Sequence, residues 1–393
     1  MFAKFRHFLH RARVFSLLPL SMLPFLTFLF VAAGVHGAGV RLHGGDKPWN
    51  APAITLTEAD LQYKSPPAYT GGIPVLLYHG VDYPPNDTTM TPQQFATELA
   101  FLQHLGYHSI SIYQYIAWRE GKHPKLPARP ILLTFDDARF DAYRGADRVL
   151  AKYHMQATMY VIVGQVQKHN NYYATWDELK KMQASGRWDI QFHAYNGHVL
   201  VPRDAQGERS VPASTPGVCG ATATTLTEQH CGPFYATREY LASKGRIETM
   251  AEYAARVNND ISAGLQIMRD HGFTDLKTMA MPFGEFGQNT ESDGEYNVAV
   301  ERELTTIMPR YFVSIMIQSG HAYTPYSTPT ERAIRLEPHP STTLAQLYEY
   351  LQHGDPSTIE TMKRTCGQQF EITVYHGATC IKNQPYDSEE KRK

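Results

Sequence analysis

The sequence predicts an α/β protein built on a parallel sheet or a (β/α) barrel. From residue 73 onward, short apolar runs alternate with amphipathic stretches of helical length, and polar side chains follow several of the runs. Such alternation is typical of βα units, whose strands pair in parallel. The 393 residues, 42% of them hydrophobic, suffice for one large domain or two smaller ones. The predicted strands are residues 73–78, 107–112, 130–135, 157–163, 188–192, 276–281, 311–317 and 333–336, and the predicted helices are residues 92–105, 139–153, 175–185, 248–271 and 291–307.

Two of the predicted helices carry local start signals. Thr91 followed by Pro92 combines an N-cap side chain with proline at the first helical position, where no backbone N–H is needed. Thr175 and Glu178 have the spacing of a capping box, in which each side chain accepts a hydrogen bond from the other residue's backbone N–H. We therefore expect helices to begin at these two places.

The first 37 residues are predicted to be a signal-anchor or a signal peptide. Basic residues precede an uncharged stretch over residues 14–35, which is long enough to span a hydrocarbon core of about 30 Å as a transmembrane helix. The length favours an uncleaved membrane anchor, while small residues near 35–38 leave cleavage open. The basic flank should stay cytoplasmic, so the rest of the chain is expected to be periplasmic or extracellular, and secreted if the leader is cleaved.

The rest of the chain divides into three predicted segments. Residues 38–70 form a linker without clear periodicity, and residues 71–353 are predicted to form the main domain. Within that domain, residues 199–247 interrupt the alternation and are expected to form a wall or lid over a site. Residues 354–393 are a short C-terminal tail with one β-like run.

The four cysteines lie in two local pairs, Cys219 with Cys231 and Cys366 with Cys380. Neither pair has the CxxC spacing of a metal site. In an exported chain, such pairs predict two short disulfide loops, the second of which brackets the tail.

The charge balance argues against one class of partner. The formal net charge is −1, so there is no excess of Lys and Arg to neutralise phosphates. We therefore expect no nucleic-acid partner.

Ionisable side chains follow three of the predicted strands. Asp136 and Asp137 follow one strand, His193 follows another, and His79 follows the first. In a (β/α) barrel the carboxyl ends of the strands open on one face, where active sites lie. The sequence therefore predicts that these side chains share one site.

A further histidine, His198, adds a metal site to the prediction. His193 and His198 are five residues apart, about 140° apart around a helix, so they cannot chelate from one helix face, and Gly197 favours a loop instead. Two imidazoles and one carboxylate leave a position open for water on Zn²⁺, or on Co²⁺, Ni²⁺ or Fe²⁺. The spare aspartate can then accept a proton from that water, so the pattern predicts a metal-dependent hydrolase.

Three motifs resemble those of a known family. TFDD at 134–137, HAYNGH at 193–198 and MPFG at 281–284 are similar to successive motifs of the NodB-type polysaccharide deacetylases. The likeness is greatest to the branch that de-N-acetylates poly-β-1,6-N-acetylglucosamine, a biofilm polysaccharide. That branch shares the Tyr-His element at the first strand and the five-residue histidine spacing. The resemblance covers roughly residues 73–345 and implies a distorted (β/α) barrel.

The resemblance implies a role for each matching residue. Asp136 resembles the general base of the family. Asp137, His193 and His198 resemble its metal ligands. His79 resembles the acid that protonates the leaving amine.

The resemblance also implies residues that contact the substrate. The backbone N–H of Phe283 stands where the family stabilises an oxyanion, with Pro282 beside it, and Tyr195 could contact a sugar. His339 resembles a late histidine motif of other members and is a rival to His79 as the acid. The rings of Tyr195, Phe234, Tyr235 and Phe286 could stack on sugars or pack under the long loop, and Arg139 could pair with Asp136 or simply mark a helix start.

Two positions depart from the family pattern. Ala138 stands where the family has Gly, and Met281 stands where it has Arg or Trp. The resemblance implies removal of N-acetyl groups from poly-N-acetylglucosamine outside the cytoplasm. The alternatives are peptidoglycan, chitin or O-acetylated xylan as substrate, or a glycan-binding module without turnover.

Overall fold

A computed structural model describes residues 51–65, 72–169, 171–209, 219, 230–284, 286, 298–318, 332–353, 370–373 and 377–380. The predicted leader at 1–37 lies outside the described residues. None of the described helices combines the length and the apolar character that a bilayer crossing requires.

Seven parallel strands follow one another in chain order around a nearly closed barrel, which confirms the predicted fold class. The last strand meets the first through two hydrogen bonds, from Leu77 N–H to Leu336 O at 2.8 Å and from Leu336 N–H to Val75 O at 3.0 Å. The strands are β1 (Val75–Tyr78), β2 (Pro130–Phe135), β3 (Ala157–Ile162), β4 (Trp188–Ala194), β5 (Thr278–Ala280), β6 (Ser314–Gln318) and β7 (Arg332–Arg335).

Helices surround the barrel, and most of the longer ones bury their apolar faces in the main core cluster. The helix Ile112–Arg119 instead packs in a second apolar cluster with residues of the barrel strands. The helices alternate with the strands along the chain, as the sequence predicts. They are α1 (Glu58–Leu61), α2 (Pro92–His104), α3 (Ile112–Arg119), α4 (Asp147–Lys152), α5 (Val163–Gln167), α6 (Trp176–Ala184), α7 (Ala205–Arg209), α8 (Met250–Asp270), α9 (Val298–Ile307) and α10 (Leu344–His353), with a π-helical turn at Ala142–Ala146 before α4.

Capping boxes start several helices. Thr91 and Thr175 cap α2 and α6 as predicted. Ser111 caps α3 in the same way, and this makes the predicted strand at 107–112 wrong beyond residue 109. The strand there is only His108–Ser109, which pairs with the start of β2.

A small part of the predicted linker is described, and it packs on the barrel. Residues 51–65 contain the short helix α1, and Ala51, Ile54, Leu56 and Tyr63 lie against the main core cluster. The buried apolar side chains tie this segment to the main domain.

Short two-stranded pairs lie outside the barrel, and one of them carries a disulfide. The pair Leu200–Pro202 and Cys231–Pro233 belongs to the predicted insertion, and Cys231 is bonded to Cys219 as predicted. Cys366, of the other predicted disulfide, lies outside the described residues. The remaining pairs are Gly80–Val81 with Thr89–Met90, Tyr240–Leu241 with Arg246–Ile247, and Phe370–Thr373 with Gly377–Cys380.

The barrel interior holds a second apolar cluster, which includes Leu132 of β2, Met316 of β6 and Ala333 of β7. Side chains two positions apart on a strand point to the same face. Asp136 lies four positions beyond Leu132, and Arg335 lies two positions beyond Ala333, so both point into the mouth of the barrel. The strand pleat thus delivers polar groups to the carboxyl end.

Candidate active site

The two aspartates at the end of β2 differ in backbone conformation. The backbone N–H of Asp136 still donates to Tyr78 O of β1, at 3.0 Å, so this residue continues the sheet. Asp137 and Ala138 then adopt the left-handed region, with φ of 76° and 58°. This turn brings the second carboxylate back over the mouth of the barrel, where an extended strand would have directed it outward.

Asp137, His193 and His198 come together as a possible metal site. Asp137 Oδ1 lies 3.6 Å from His193 Nε2 and 3.5 Å from His198 Nε2, and the three candidate ligand atoms all lie within 4.8 Å of one another. Asp137 Oδ1 is buried and makes no hydrogen bond within the described part of the chain. A buried carboxylate oxygen without a donor, facing two imidazole nitrogens, fits the ligand set of a divalent cation.

A bulge aims His193 into this site. The parallel register pairs Val161 with Phe192 and Ile162 with Ala194, so His193 is the extra residue of β4. Bulges of this kind redirect a side chain near active sites. His193 Nδ1 lies 2.7 Å from Ala280 O of β5. Since a carbonyl only accepts, Nδ1 carries the proton, so the neutral form of this imidazole would offer the lone pair of Nε2 toward Asp137.

The surrounding charges suit metal ligation. Burial would raise the pKa of Asp137, but the nearby imidazoles of His193, His198 and His79 hold it well below its usual value, so this carboxylate is ionised at neutral pH. Burial lowers the pKa of His198, which favours the neutral form of its imidazole. Ionised carboxylate and neutral imidazoles are the forms that bind a cation.

Asp136 is held by an arginine that the sequence did not single out. Arg335 at the end of β7 donates from Nη1 to Asp136 Oδ1 at 2.6 Å and from Nη2 to Oδ2 at 2.7 Å. Arg335 is fully buried and Asp136 is 3% exposed. Burial would raise the pKa of Asp136, but the charge of Arg335 outweighs it and lowers the pKa. Asp136 is therefore a fixed carboxylate, with Oδ2 4.0 Å from His193 Nε2.

His79 is also fixed by a residue from the last strand's end. His79 Nδ1 donates to Glu337 Oε1 at 2.7 Å, and Gln318 Nε2 donates to Glu337 Oε2 at 2.6 Å. Burial would lower the pKa of His79, but the hydrogen bond to Glu337 and the charges of Asp137, Glu337 and Asp136 raise it to about 9. His79 therefore carries a proton at neutral pH.

Phe283 and Pro282 lie at the rim of the site. The Phe283 ring centroid is 4.7 Å from that of His198, and Phe283 is 44% exposed. Its backbone is left-handed, with φ of 60°, and the preceding Pro282 is buried. The backbone turn at Phe283 thus lies directly beside a candidate ligand.

Several predicted residues lie elsewhere or act differently. Tyr195 is half-buried and packs on the core. His339 is exposed, and its backbone N–H donates to Thr342 Oγ1 at 2.9 Å, whereas His79 lies among the site charges. Arg139 pairs with Asp141 and not with Asp136.

For two of the aromatic side chains, the structure favours packing in the core over stacking on a sugar. Tyr235 is fully buried and donates its hydroxyl to Asp260, and Phe286 is 1% exposed beneath the guanidinium of Arg332. Neither ring can lie flat on a sugar without leaving the core. Phe234 is half-buried against the same core.

The chain is similar to known deacetylases. Residues 123–298 match the family model of the polysaccharide deacetylases. A poly-β-1,6-N-acetyl-D-glucosamine N-deacetylase of Staphylococcus epidermidis is 30% identical over 116 residues, which are 28% of this chain and 39% of that protein. The protein of the same name from Escherichia coli K12 is 23% identical over 201 residues, 48% of this chain and 26% of that protein. The chain thus spans less than half of the length of these curated relatives.

A solved structure agrees with the fold. The de-N-acetylase from Aggregatibacter actinomycetemcomitans superposes with a TM-score of 0.54 at 19% identity, over 71% of this chain and 99% of that one. At this identity the likeness concerns the architecture.

Proposed function

We propose that this chain, which carries a polysaccharide deacetylase domain, is a metal-dependent hydrolase that removes N-acetyl groups from poly-β-1,6-N-acetylglucosamine. The observation that carries the proposal is the buried Asp137 Oδ1, which faces two imidazole nitrogens and has no hydrogen-bond donor in the described structure. The names of the curated relatives support the choice of polymer.

Asp137, His193 and His198 would hold one divalent cation, with Zn²⁺ as the first choice. When bound, the cation would lower the pKa of a water molecule and polarise the acetamide carbonyl. Asp136 accepts the proton of the attacking water, because its carboxylate is ionised and lies beside the same histidine. Arg335 keeps that carboxylate in one orientation through two parallel hydrogen bonds.

His79 donates the second proton. The C–N bond breaks only if the nitrogen leaves as an amine, so an acid must stand ready on the leaving-group side. His79 is protonated at neutral pH and is oriented through Nδ1 by Glu337, which leaves Nε2 for the substrate. The backbone N–H of Phe283 would donate to the oxygen that gains negative charge. The products are acetate and a free amine on the sugar.

We further propose that the domain works outside the cytoplasm, attached to the membrane by the N-terminal segment unless that segment is cleaved. The Cys219–Cys231 disulfide supports an oxidising compartment. A polymer substrate also fits an exported enzyme, because poly-N-acetylglucosamine is an extracellular polysaccharide.

Acetate release tests the proposed function. Full-length protein is incubated with poly-N-acetylglucosamine, chitin, peptidoglycan and acetylated xylan, and acetate is measured together with the metal content of the protein. We expect release from poly-N-acetylglucosamine that is abolished by chelation and restored by Zn²⁺ or Co²⁺. Release from another polymer alone would correct the substrate, and bound glycan without acetate would indicate a binding module.

Three variants assign the residues. Asp137→Asn should lose both metal and activity, whereas Asp136→Asn should keep the metal and lose about 10²- to 10⁴-fold in rate, the range of a general base. Asp189→Asn is the matched control, because Asp189 lies on β4 but accepts from Ile112 N–H at the other end of the strand. Equal activity of Asp136→Asn and wild type would contradict the role of Asp136.

A further inference from the structure

Asp260 is a buried acid in the middle of a long helix. It lies in α8, which runs over Met250–Asp270, and it is only 7% exposed. Asp is a poor helix former in an interior position, and burial of a carboxylate is costly unless it is hydrogen-bonded. Neither the helix nor the apolar core accounts for an acid at this place.

The carboxylate of Asp260 accepts hydrogen bonds from the loop between the two candidate histidine ligands. Tyr195 N–H donates to Oδ2 at 3.0 Å, and Asn196 N–H donates to Oδ1 at 2.8 Å. These are two consecutive backbone groups, and they lie between His193 and His198. One side chain therefore fixes two consecutive peptide planes, after which the chain turns toward the second histidine.

Close backbone approaches hold the same loop from the other sides. Gly164 N–H of α5 donates to Tyr195 O at 2.9 Å, and a Cβ on Gly164 would lie 2.3 Å from Asn196 Oδ1. A Cβ on Gly264, one turn beyond Asp260, would lie 2.8 Å from Tyr195 Cβ. The loop fits between two helices that have no side chain at the points of contact.

Asp260 also connects this loop to the insertion. The hydroxyl of Tyr235 donates to Asp260 Oδ2 at 2.5 Å, and the Tyr235 ring lies where a Cβ on Gly197 would be, within 2.8 Å. Tyr235 follows the strand Cys231–Pro233, which the disulfide ties to Cys219. The insertion therefore contacts the loop through the same carboxylate that orients it.

We infer that Asp260 is a positioning residue, which sets the distance and direction between His193 and His198 and so determines how tightly the site binds its cation. Through the hydrogen bond from the Tyr235 hydroxyl to Asp260, the insertion also helps to position the two histidines. The inference rests on the proposed function, because it concerns the affinity for the metal. Asp260 is not one of the candidate ligands, and it acts on them through two backbone N–H groups.

Cobalt binding measures this role directly. Chelator-treated full-length protein is titrated with Co²⁺, and the visible absorption of the bound ion gives the Kd. Asp260→Asn keeps the shape of the side chain but turns an NH₂ toward one of the two N–H donors. We expect its Kd for Co²⁺ to rise about 10- to 100-fold, the range found when groups that orient metal ligands are changed.

The matched control is Asp189→Asn. Asp189 is a half-buried carboxylate that also accepts a backbone N–H, from Ile112 at 2.8 Å, and it lies at the end of β4 away from the metal loop. A merely structural role would lower the melting temperature of Asp260→Asn and leave the Kd of the folded fraction unchanged. If Asp260→Asn does not fold, as judged by circular dichroism, Tyr235→Phe removes one donor to Asp260 and should weaken Co²⁺ binding in the same direction.

The outcomes separate this inference from the proposed function. A Kd equal to that of wild type in Asp260→Asn, or in Tyr235→Phe where the first variant does not fold, overturns the inference while acetate release by wild type stands. Absence of Co²⁺ binding by the wild-type protein overturns the metal site, and this inference with it.

Discussion

Replacement of Arg335 by Met should separate the structural cost of the buried ion pair from its part in catalysis. The guanidinium makes two hydrogen bonds to Asp136, at 2.6 and 2.7 Å, and both partners are buried. Removal of one partner leaves a buried carboxylate without its counter-charge, which costs about 3–5 kcal/mol. We therefore expect Arg335→Met to lose that amount of unfolding free energy at pH 7.

The loss of Arg335 should also change how the stability of the protein depends on pH. In the wild type the pKa of Asp136 lies below its ordinary value, so the stability from this pair is present at neutral pH and is lost as the pH falls through the lowered pKa. In Arg335→Met burial, the largest influence on the pKa of Asp136, is opposed only by the charges of His193 and His79, so this pKa should rise above the unfolded value. The variant should then become less stable as the pH rises from 4 to 7, opposite to the contribution of Asp136 in the wild type.

Urea unfolding at pH 4.5 and 7, together with acetate release, tests both parts. Arg332→Met is the matched control, because Arg332 is also buried on β7 and bonded to a carboxylate, Glu301, at 2.9 Å. It should lose stability but keep its activity, whereas Arg335→Met should lose at least 10²-fold in rate as the base is no longer fixed as a carboxylate. The double variant Asp136→Asn/Arg335→Met should regain most of the stability. If Arg335→Met retains wild-type activity, the argument that Arg335 holds the base is refuted.

Two further predictions follow from the shifted acids and bases. Glu337→Gln removes the carboxylate that holds the pKa of His79 at about 9. The fall of kcat on the alkaline side should therefore begin at a lower pH than in the wild type. An unchanged pH–rate profile would contradict the role of Glu337. Glu98 is buried on α2, accepts the Tyr78 hydroxyl at 2.9 Å, and has a pKa raised by burial from 4.5 to about 8. Because the pKa of Glu98 is higher in the folded state than in the unfolded state, its contribution to stability is fully present below about pH 4.5 and is lost as the pH rises toward 8. Glu98→Gln should therefore add about 3 kcal/mol to the free energy of unfolding at pH 7 and almost nothing at pH 4. Urea unfolding measures both values, and equal gains at the two pH values would contradict this prediction.

The sequence could predict the residues that local chain geometry brings together. Asp136 and His79 follow neighbouring parallel strands, and a barrel opens the ends of those strands on one face. Arg335 and Glu337 could not be found in this way. They reach the site only because β7 closes on β1, a contact between residues more than 250 positions apart in the chain, with Leu336 O accepting from Leu77 N–H. The available signal in the sequence was Arg335, a charged residue inside the last apolar run, two residues before the acid Glu337.

Other features could not be predicted because residue type alone does not determine where a helix begins or which side chains are buried. The apolar residues after 109 continue the strand pattern, and only the Ser111 cap with Gln114 marks the start of α3. The rings of Tyr235 and Phe286 could either stack on sugars or pack in the core, and residue type alone does not decide between the two; the structure buries both. The polar contacts that decide it, such as Tyr235 with Asp260, lie between segments distant in sequence.

The different roles of two adjacent aspartates follow from one backbone turn. On a regular strand, neighbours point to opposite faces, so Asp136 inside the barrel would leave Asp137 outside. The left-handed conformations of Asp137 and Ala138 reverse this and put Asp137 against the histidines while Asp136 stays on Arg335. Such a conformation costs a residue other than Gly about 1–2 kcal/mol, and at position 138 the related family has Gly where this chain has a buried Ala. The chain tolerates that strain at the point where it separates a carboxylate with a permanent counter-charge, the proposed base, from a carboxylate without one, the proposed metal ligand.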